Sequence, residues 1–506
     1  MGAPALAACA IAAALVSAPA ANAVTTCTYD SGDRVTVTMS ADNDSALVSV
    51  LPGGAIAVRG GGPVLTCPGA GGPPTVTNTD FVIVTDSSGG GDTRVSILAP
   101  TSFAPGLTTT GEGGSPEIEF VLAPGSGTND SLFVSGTTGP DNWVLGASGF
   151  NWNADSDSEF FATSPSAFDD ILLSTGDGDD LVSAQGGTGV GGALAGAGFL
   201  EIAGDGGSDT LSGSNKAVGD LIRGLEGNDT ISGFDGNDSI SPGVGDDAVA
   251  GGAGTDTLNY LAAQTPVAID LGQSGPQATG EGTDSLATIE NVLGSPFSDT
   301  LIGNADANVL NGATGDNILD GREGADQLRG SIGNDTVTYA QAPAGVTANL
   351  TTGLASGGYG NDVLTDIDNL TGSAFADTLT GNATANLITG LGGVDTISAL
   401  AGPDTVNVRD GGRDTASCGS EIDAATADQN TLDVVNADCE TVAFLPGGGG
   451  GGGGDGGGAT DTVLSVRWTI ARTQRVLKQH ALIVKVRCPT SGGSSGSDSP
   501  PAGTRC

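Results

Sequence analysis

The chain has 506 residues, too many for one ordinary compact core, so several units or one long solenoid are expected. Glycine supplies 87 residues, aromatics only 4%, and 59 acids face 16 bases for a net charge of −43, which argues against nucleic-acid partners, since these need a basic patch. Such a composition ordinarily means disorder unless a bound cation offsets the carboxylates, and Ca²⁺ is the hard, oxygen-seeking cation most available outside cells.

The first predicted element is an export signal over residues 1–23. Ala3 to Ala21 is apolar and small, and Ala21-Asn22-Ala23 fits a cleavage site. The apolar run is too short for a convincing membrane span, and the sequence offers no other transmembrane candidate. Residues 24–170 form a β-rich region, solenoid-like or sandwich, with alternating strands expected at Arg34–Met39, Ala46–Leu51, Phe81–Val84, Arg94–Leu98 and Glu117–Leu122. Two degenerate nine-residue units, Gly125–Phe133 and Gly136–Val144, favour the solenoid. Trp143, Trp152, Phe160 and Phe161 cluster beside Asp155, Asp157 and Glu159, which suits either core packing or a platform for glycans.

Residues 171–416 are organised in nines. The clearest array opens with Gly224-Leu-Glu-Gly-Asn-Asp-Thr-Ile-Ser and Gly233-Phe-Asp-Gly-Asn-Asp-Ser-Ile-Ser and runs to Asn259. Its sixth positions are Asp229, Asp238, Asp247 and Asp256; its eighth are Ile231, Ile240, Val249 and Leu258. Asp220 extends the register one unit back through a turn that carries Lys216, and Asp209 and Asp180 fit isolated units upstream. A second array, Gly294 to Thr338, has Asp299, Asn308, Asn317, Asp326 and Asp335 in the sixth position. A third, from Gly372, has Asp377, Asn386, Asp395 and Asp404. These two are copies: Phe297-Ser-Asp-Thr-Leu-Ile-Gly-Asn returns 78 residues later as Phe375-Ala-Asp-Thr-Leu-Thr-Gly-Asn. Spacers precede both, Val267-Ala-Ile-Asp-Leu and Val346-Thr-Ala-Asn-Leu.

Each nonad divides into a turn and a short strand. Glycines at the first, second and fourth positions permit φ > 0, so that backbone carbonyls converge. The aspartate adds a charged oxygen, and the two oxygen types together suit Ca²⁺. One buried aliphatic side chain per nine residues does not offset the entropy of ordering nine backbones. Coordination must help, and folding is expected to couple to binding.

This pattern resembles the RTX, or haemolysin-type, calcium-binding repeat, with consensus G-G-x-G-x-D-x-U-x. The resemblance implies an all-β, right-handed parallel β-roll in which each of several Ca²⁺ ions sits between turns two nonads apart. It pairs Asp229 with Asp247, Asp238 with Asp256, Asn317 with Asp335, Asp326 with Asn308, Asp377 with Asp395, and Asp404 with Asn386. The candidate ligands are thus Asp209, Asp220, Asp229, Asp238, Asp247, Asp256, Asp299, Asn317, Asp326, Asp335, Asp377, Asp395 and Asp404. Asn in the sixth position keeps an oxygen but loses a charge. With Asn304, Ala313, Arg322, Ser331 and Asn382 replacing the second glycine, the later arrays are expected to hold fewer or weaker ions.

Beyond the roll, residues 417–446 read as a disulfide-closed cap, 447–459 as a glycine linker, and 460–506 as a basic β segment that resembles a truncated domain. Cysteine order suggests Cys27–Cys67, Cys418–Cys439 and Cys488–Cys506. The single histidine, His480, excludes an H-E-x-x-H zinc site and leaves no credible triad. The expectation is a secreted, non-catalytic, calcium-binding surface or matrix component with affinity of about 10⁻⁴–10⁻³ M. The alternative is a carbohydrate-active or carbohydrate-binding region at 24–170 carried on an export and folding tail, with cell-surface or extracellular glycans as partners.

Overall fold

The computed structural model describes residues 25–29, 34–39, 45–51, 55–60, 64–65, 67, 74, 81–86, 94–98, 119–123, 130–147, 149–152, 160–162, 168–186, 192–194, 198–428 and 433–445. The expected export signal, glycine linker and basic segment, with Cys488, Cys506 and His480, lie outside these residues. Every regular element among the described residues is a β-strand.

Most strands pair in parallel with the strand after next, as expected when one nonad crosses one face and the next returns on the other. On one face Thr210–Ser212, Thr230–Asp235 and Ala248–Ala253 stack, with Leu211 beside Ile231 and Ile231 beside Val249. On the other, Leu221–Glu226, Ser239–Val244, Thr257–Asn259, Asn291–Leu293, Val309–Asn311 and Gln327–Arg329 stack, placing Ile222, Ile240, Leu258, Val292, Leu310 and Leu328 in one column. These eighth-position side chains, with their counterparts Leu301, Leu319, Val337, Leu379, Ile388, Ile397 and Val406, are fully buried between the faces. The pleat explains the choice: the seventh and ninth residues point outward and only the eighth points in. The structure is therefore the parallel β-roll that the resemblance implies.

The expected N-terminal strands appear as Arg34–Met39, Ser45–Leu51, Phe81–Asp86, Arg94–Leu98 and Glu119–Ala123. They join the same two sheets. Arg34–Met39 runs parallel to Phe81–Asp86, which runs parallel to Glu119–Ala123. Arg94–Leu98 connects through Ser131–Ser135 to Asp170–Ser174. Both degenerate nonads supply strands here, with Leu132 and Trp143 buried at their eighth positions. Trp143 packs on Phe150 with ring centroids 5.6 Å apart, so it is a core residue and no part of an exposed aromatic platform.

Three antiparallel inserts interrupt the parallel stacking, all with one topology. In the first, Asn142–Gly146 pairs downstream with Leu181–Ser183. The chain then reverses through Gly149–Trp152 and Phe160–Ala162, which pairs upstream with Glu119–Ala123. In the second, Ala268–Asp270 pairs downstream with Thr300–Ile302 and Thr283–Ala287 pairs upstream with Ala248–Ala253. Between them Gln277–Ala278 runs antiparallel to Thr283–Ala287, and Ala268 N–H donates to the Thr279 carbonyl at 2.9 Å. In the third, Val346–Asn349, Leu354–Gly357 and Gly360–Thr365 bridge Thr378–Thr380 to Gln327–Arg329. The two sequence spacers are the first strands of the second and third inserts. These two inserts lie on opposite faces, because six single strands, an even number, from Asn291–Leu293 to Thr336–Thr338, alternate between the faces from one to the other.

Two of the three expected disulfides are formed, Cys27–Cys67 and Cys418–Cys439. The second ties the end of strand Thr415–Ser417 to the approach to Thr441–Leu445, the last described strand.

Candidate metal centre

The sixth-position residues form two ladders, one along each edge of the roll. At most rungs the backbone N–H donates to the side-chain Oδ1 of the corresponding residue one full coil later; Asp256 and Asp335 donate instead to Glu290 Oε2 and Asp368 Oδ2. Asp229 donates to Asp247 and Asp238 to Asp256, both at 2.8 Å. Asn317 donates to Asp335 and Asn308 to Asp326, both at 2.9 Å. Asp377 donates to Asp395 at 2.9 Å and Asn386 to Asp404 at 2.8 Å. All six pairs inferred from the sequence are thus brought together. The ladder also takes in residues the nonads did not single out. Asp141 donates to Asp180 and Asp180 to Asp209 at the upstream end; Asp247 donates to Asp284, Asp326 to Asp362, Asp395 to Asp414 and Asp404 to Asp423.

One carboxylate oxygen of each aspartate is used by this ladder. The other divides the turns into two chemical kinds. In Asp209, Asp229, Asp238, Asp247 and Asp256 the second oxygen, Oδ2, is buried and has no hydrogen-bond partner among the described residues. The same holds for Asp180, Asp326, Asp335, Asp395, Asp404, Asp414 and Asp423. A buried acceptor without a donor is costly, and a buried carboxylate more so. Burial, reinforced in several cases by neighbouring carboxylates, pushes Asp229 up to about 6 and Asp209, Asp238 and Asp247 up to about 7. Asp326 and Asp395 rise to about 7 and Asp404 to about 6 for the same reason.

Other oxygens gather at these points. A Cβ built on Gly224 would stand 2.1 Å from Asp229 Oδ2 and 2.2 Å from the Pro242 carbonyl. At Gly233 the Asp238 Oδ2 and the Gly251 carbonyl occupy the equivalent places, at 2.2 and 2.4 Å. This corrects one expectation. The first-position glycine is not at positive φ; it is required because its missing side chain leaves room for a carboxylate and a carbonyl. Positive φ falls on the second and fourth positions, and the second tolerates it without glycine, at Leu225 (81°), Phe234 (73°), Ala313 (63°), Arg322 (60°) and Ser331 (78°). A carboxylate oxygen without a donor, set among backbone carbonyls, is a donor set that fits a hard cation such as Ca²⁺.

Turns of the second kind close themselves. Ser295 donates to Asp299 through its N–H and its hydroxyl, both at 2.6 Å, and Ser373 does the same for Asp377 at 2.6 and 2.8 Å. Asn308 and Asn386 accept from the N–H of Asn304 and Asn382, while their amide groups donate to the carbonyls of Glu290 and Asp368. The Asn317 amide donates to Asp335 Oδ1 at 2.8 Å and to the Gly315 carbonyl at 3.0 Å. At Asp220 the counter-charge is internal: the buried Lys216 ammonium stands 3.4 Å from its carboxylate, which Ser214 also meets at 2.6–3.0 Å. Of the predicted ligands, Asp220, Asp299 and Asp377 therefore have protein donors for both oxygens. The sequence contained a signal for this, namely Ser or Asn in the second position with no glycine in the fourth.

A family model for the RTX calcium-binding nonapeptide repeat (4 copies) matches residues 218–249, 243–258, 293–328, 302–337 and 367–406. No curated protein matches the chain. The matched segments hold the rungs from Asp220 to Asp256, Asp299 to Asp335 and Asp377 to Asp404, and there the chain carries RTX calcium-binding nonapeptide repeats.

Proposed function

We propose that the protein is a secreted, non-catalytic surface or matrix component whose β-roll folds as it binds Ca²⁺ outside the cell. The observation that carries this reading is the run of buried, donor-less Oδ2 atoms at Asp229, Asp238, Asp247 and Asp256, on both edges of one uninterrupted array. A coil so built is unfavourable with ionised carboxylates and no cation. An extracellular setting at millimolar Ca²⁺ supplies the cation, whereas resting cytosolic levels do not suffice for sites of extracellular-module affinity. Asp209, Asp326, Asp335, Asp395 and Asp404 extend the ligand set.

Two formed disulfides are compatible with an oxidising compartment. Among the described residues no helix is long and apolar enough to cross a membrane. Of the four aromatics offered as a glycan platform, Trp143 is buried in the core. The test is far-UV circular dichroism of the whole chain in chelator and in millimolar Ca²⁺. A gain of β signal with calcium is expected, and identical spectra in both would overturn the reading.

A further inference from the structure

Past the last matched nonad the period slips by one. Strands Thr396–Ser398 and Thr405–Asn407 start nine residues apart, but Thr405–Asn407 and Thr415–Ser417 start ten apart. The additional residue lies in the turn Val408 to Asp414, and that turn carries two aspartates, Asp410 and Asp414. Asp414 takes the usual ladder place, accepting from Asp395 N–H at 2.7 Å. Asp410 is a second acid in its turn, as Glu226, Asp235 and Glu323 are in theirs, but among the described residues it alone joins two ladder carboxylates in one group.

We propose that Asp395, Asp410 and Asp414 form a three-carboxylate site for a hard divalent cation of the Ca²⁺ type, tighter than the two-carboxylate rungs elsewhere in the roll; the inference rests on the calcium reading above. One oxygen from each of the three lies within 4.8 Å of the others, the only such group of three among the described residues. Two independent observations point to a ligand. Asp395 and Asp414 are 1% and 0% exposed, and the Oδ2 of each has no hydrogen-bond partner among the described residues. Behind them Asp428, 1% exposed, also has a donor-less oxygen, while its other oxygen accepts from the N–H groups of Asp410 and Gly411 at 3.1 and 2.5 Å. That contact fixes the inserted turn, and Gly412 N–H, 2.5 Å from Asp410 Oδ1, orients the additional carboxylate. Asp433 secures the arrangement by accepting from Asp414 N–H at 3.1 Å and Asp428 N–H at 2.7 Å. Ligand charge and rigidity are the two quantities that raise Ca²⁺ affinity, and this turn increases both.

The experiment is calorimetric titration of the whole wild-type chain with Ca²⁺, beside Asp410→Asn. Wild type should show one site about tenfold or more tighter than the remainder. Asp410→Asn should move that site into the weak class and leave the others in place. A variant isotherm superimposable on wild type overturns the three-carboxylate site while leaving the calcium reading intact. Absence of binding to either chain overturns the calcium reading itself. Terbium-soaked wild-type crystals provide a readout that no substitution can disturb. The first anomalous peak to fill as concentration rises should lie among Asp395, Asp410 and Asp414, and a first peak at another rung overturns the assignment.

Discussion

The array at 224–259 and the start of the array at 294–338 have the same strands, the same buried column and the same ladder of N–H to Oδ1 bonds, yet they meet their charge in opposite ways. In the first, Asp229, Asp238, Asp247 and Asp256 each leave an oxygen without a donor. In the second, Ser295 satisfies Asp299, and amides replace carboxylates at Asn308 and Asn317. The period therefore specifies the coil, while the second and sixth positions of each turn decide whether the coil must recruit a cation.

The largest expected effect tests that division directly. Each ion bound at a hundredfold excess over its Kd stabilises by about 2.7 kcal/mol. Chelation should thus abolish amide-exchange protection across Thr230–Asn259 and reduce it far less across Ser295–Asn311. Equal loss in both segments would show that the self-closed turns do not hold alone. Core truncation should not distinguish them: Ile240→Ala and Leu310→Ala should each cost about 2–5 kcal/mol in saturating calcium by denaturant unfolding, since both side chains are fully buried in one column.

Exchanging turn chemistry should have an intermediate effect. Asn317→Asp removes the amide donor to Asp335 and sets two carboxylates together; a loss of about 1–3 kcal/mol in chelator is expected, recovered when calcium is added. Asp247→Asn should do the reverse, raising stability in chelator by about 1 kcal/mol and shrinking the gain from calcium. Unchanged calcium dependence in both variants would contradict the role given to the sixth position.

The smallest effect concerns pH. Burial raises Asp229, Asp238 and Asp247 to about 6–7 in the fold, above the ordinary value of 3.8. Their stabilising contribution in chelator is complete below that ordinary value and is lost as pH rises through about 6–7. Acidifying from pH 7.5 to 5 in chelator should therefore raise the melting temperature. In limiting calcium it should lower it, because protons displace the ion.

The sequence made the roll legible because one feature, an aliphatic residue two places after an aspartate, repeats every nine residues. Ile231, Ile240, Val249 and Leu258 followed from it, and the pairing of Asp229 with Asp247 and of Asp238 with Asp256 followed from the resemblance it carries. What escaped lies where spacing varies. Asp284 and Asp362 join the ladder across 37 and 36 residues because an insert intervenes, and Asp414 and Asp423 across 19 because a turn is one residue longer. Upstream, Asp141 to Asp180 spans 39 across the first insert and Asp180 to Asp209 spans 29, so irregular spacing conceals a coil that the hydrogen bonds reveal. Ser295, Ser373 and Lys216 escaped for another reason: their roles are short-range contacts, marked only by departures from glycine within the turn and not by the repeat itself.

The parity of the copied block has a consequence for growth of the protein. Inserting a block that adds an odd number of strands to the winding leaves the rungs continuous but turns each new insert to the far side of the coil. Successive duplications of such a block would lengthen the protein while placing its projections alternately left and right, like leaves on a stem, with no change in the sequence of the insert. An even block would align them in a single file. One nonad gained or lost by the ancestral block would therefore have been enough to choose between a one-sided and a two-sided surface.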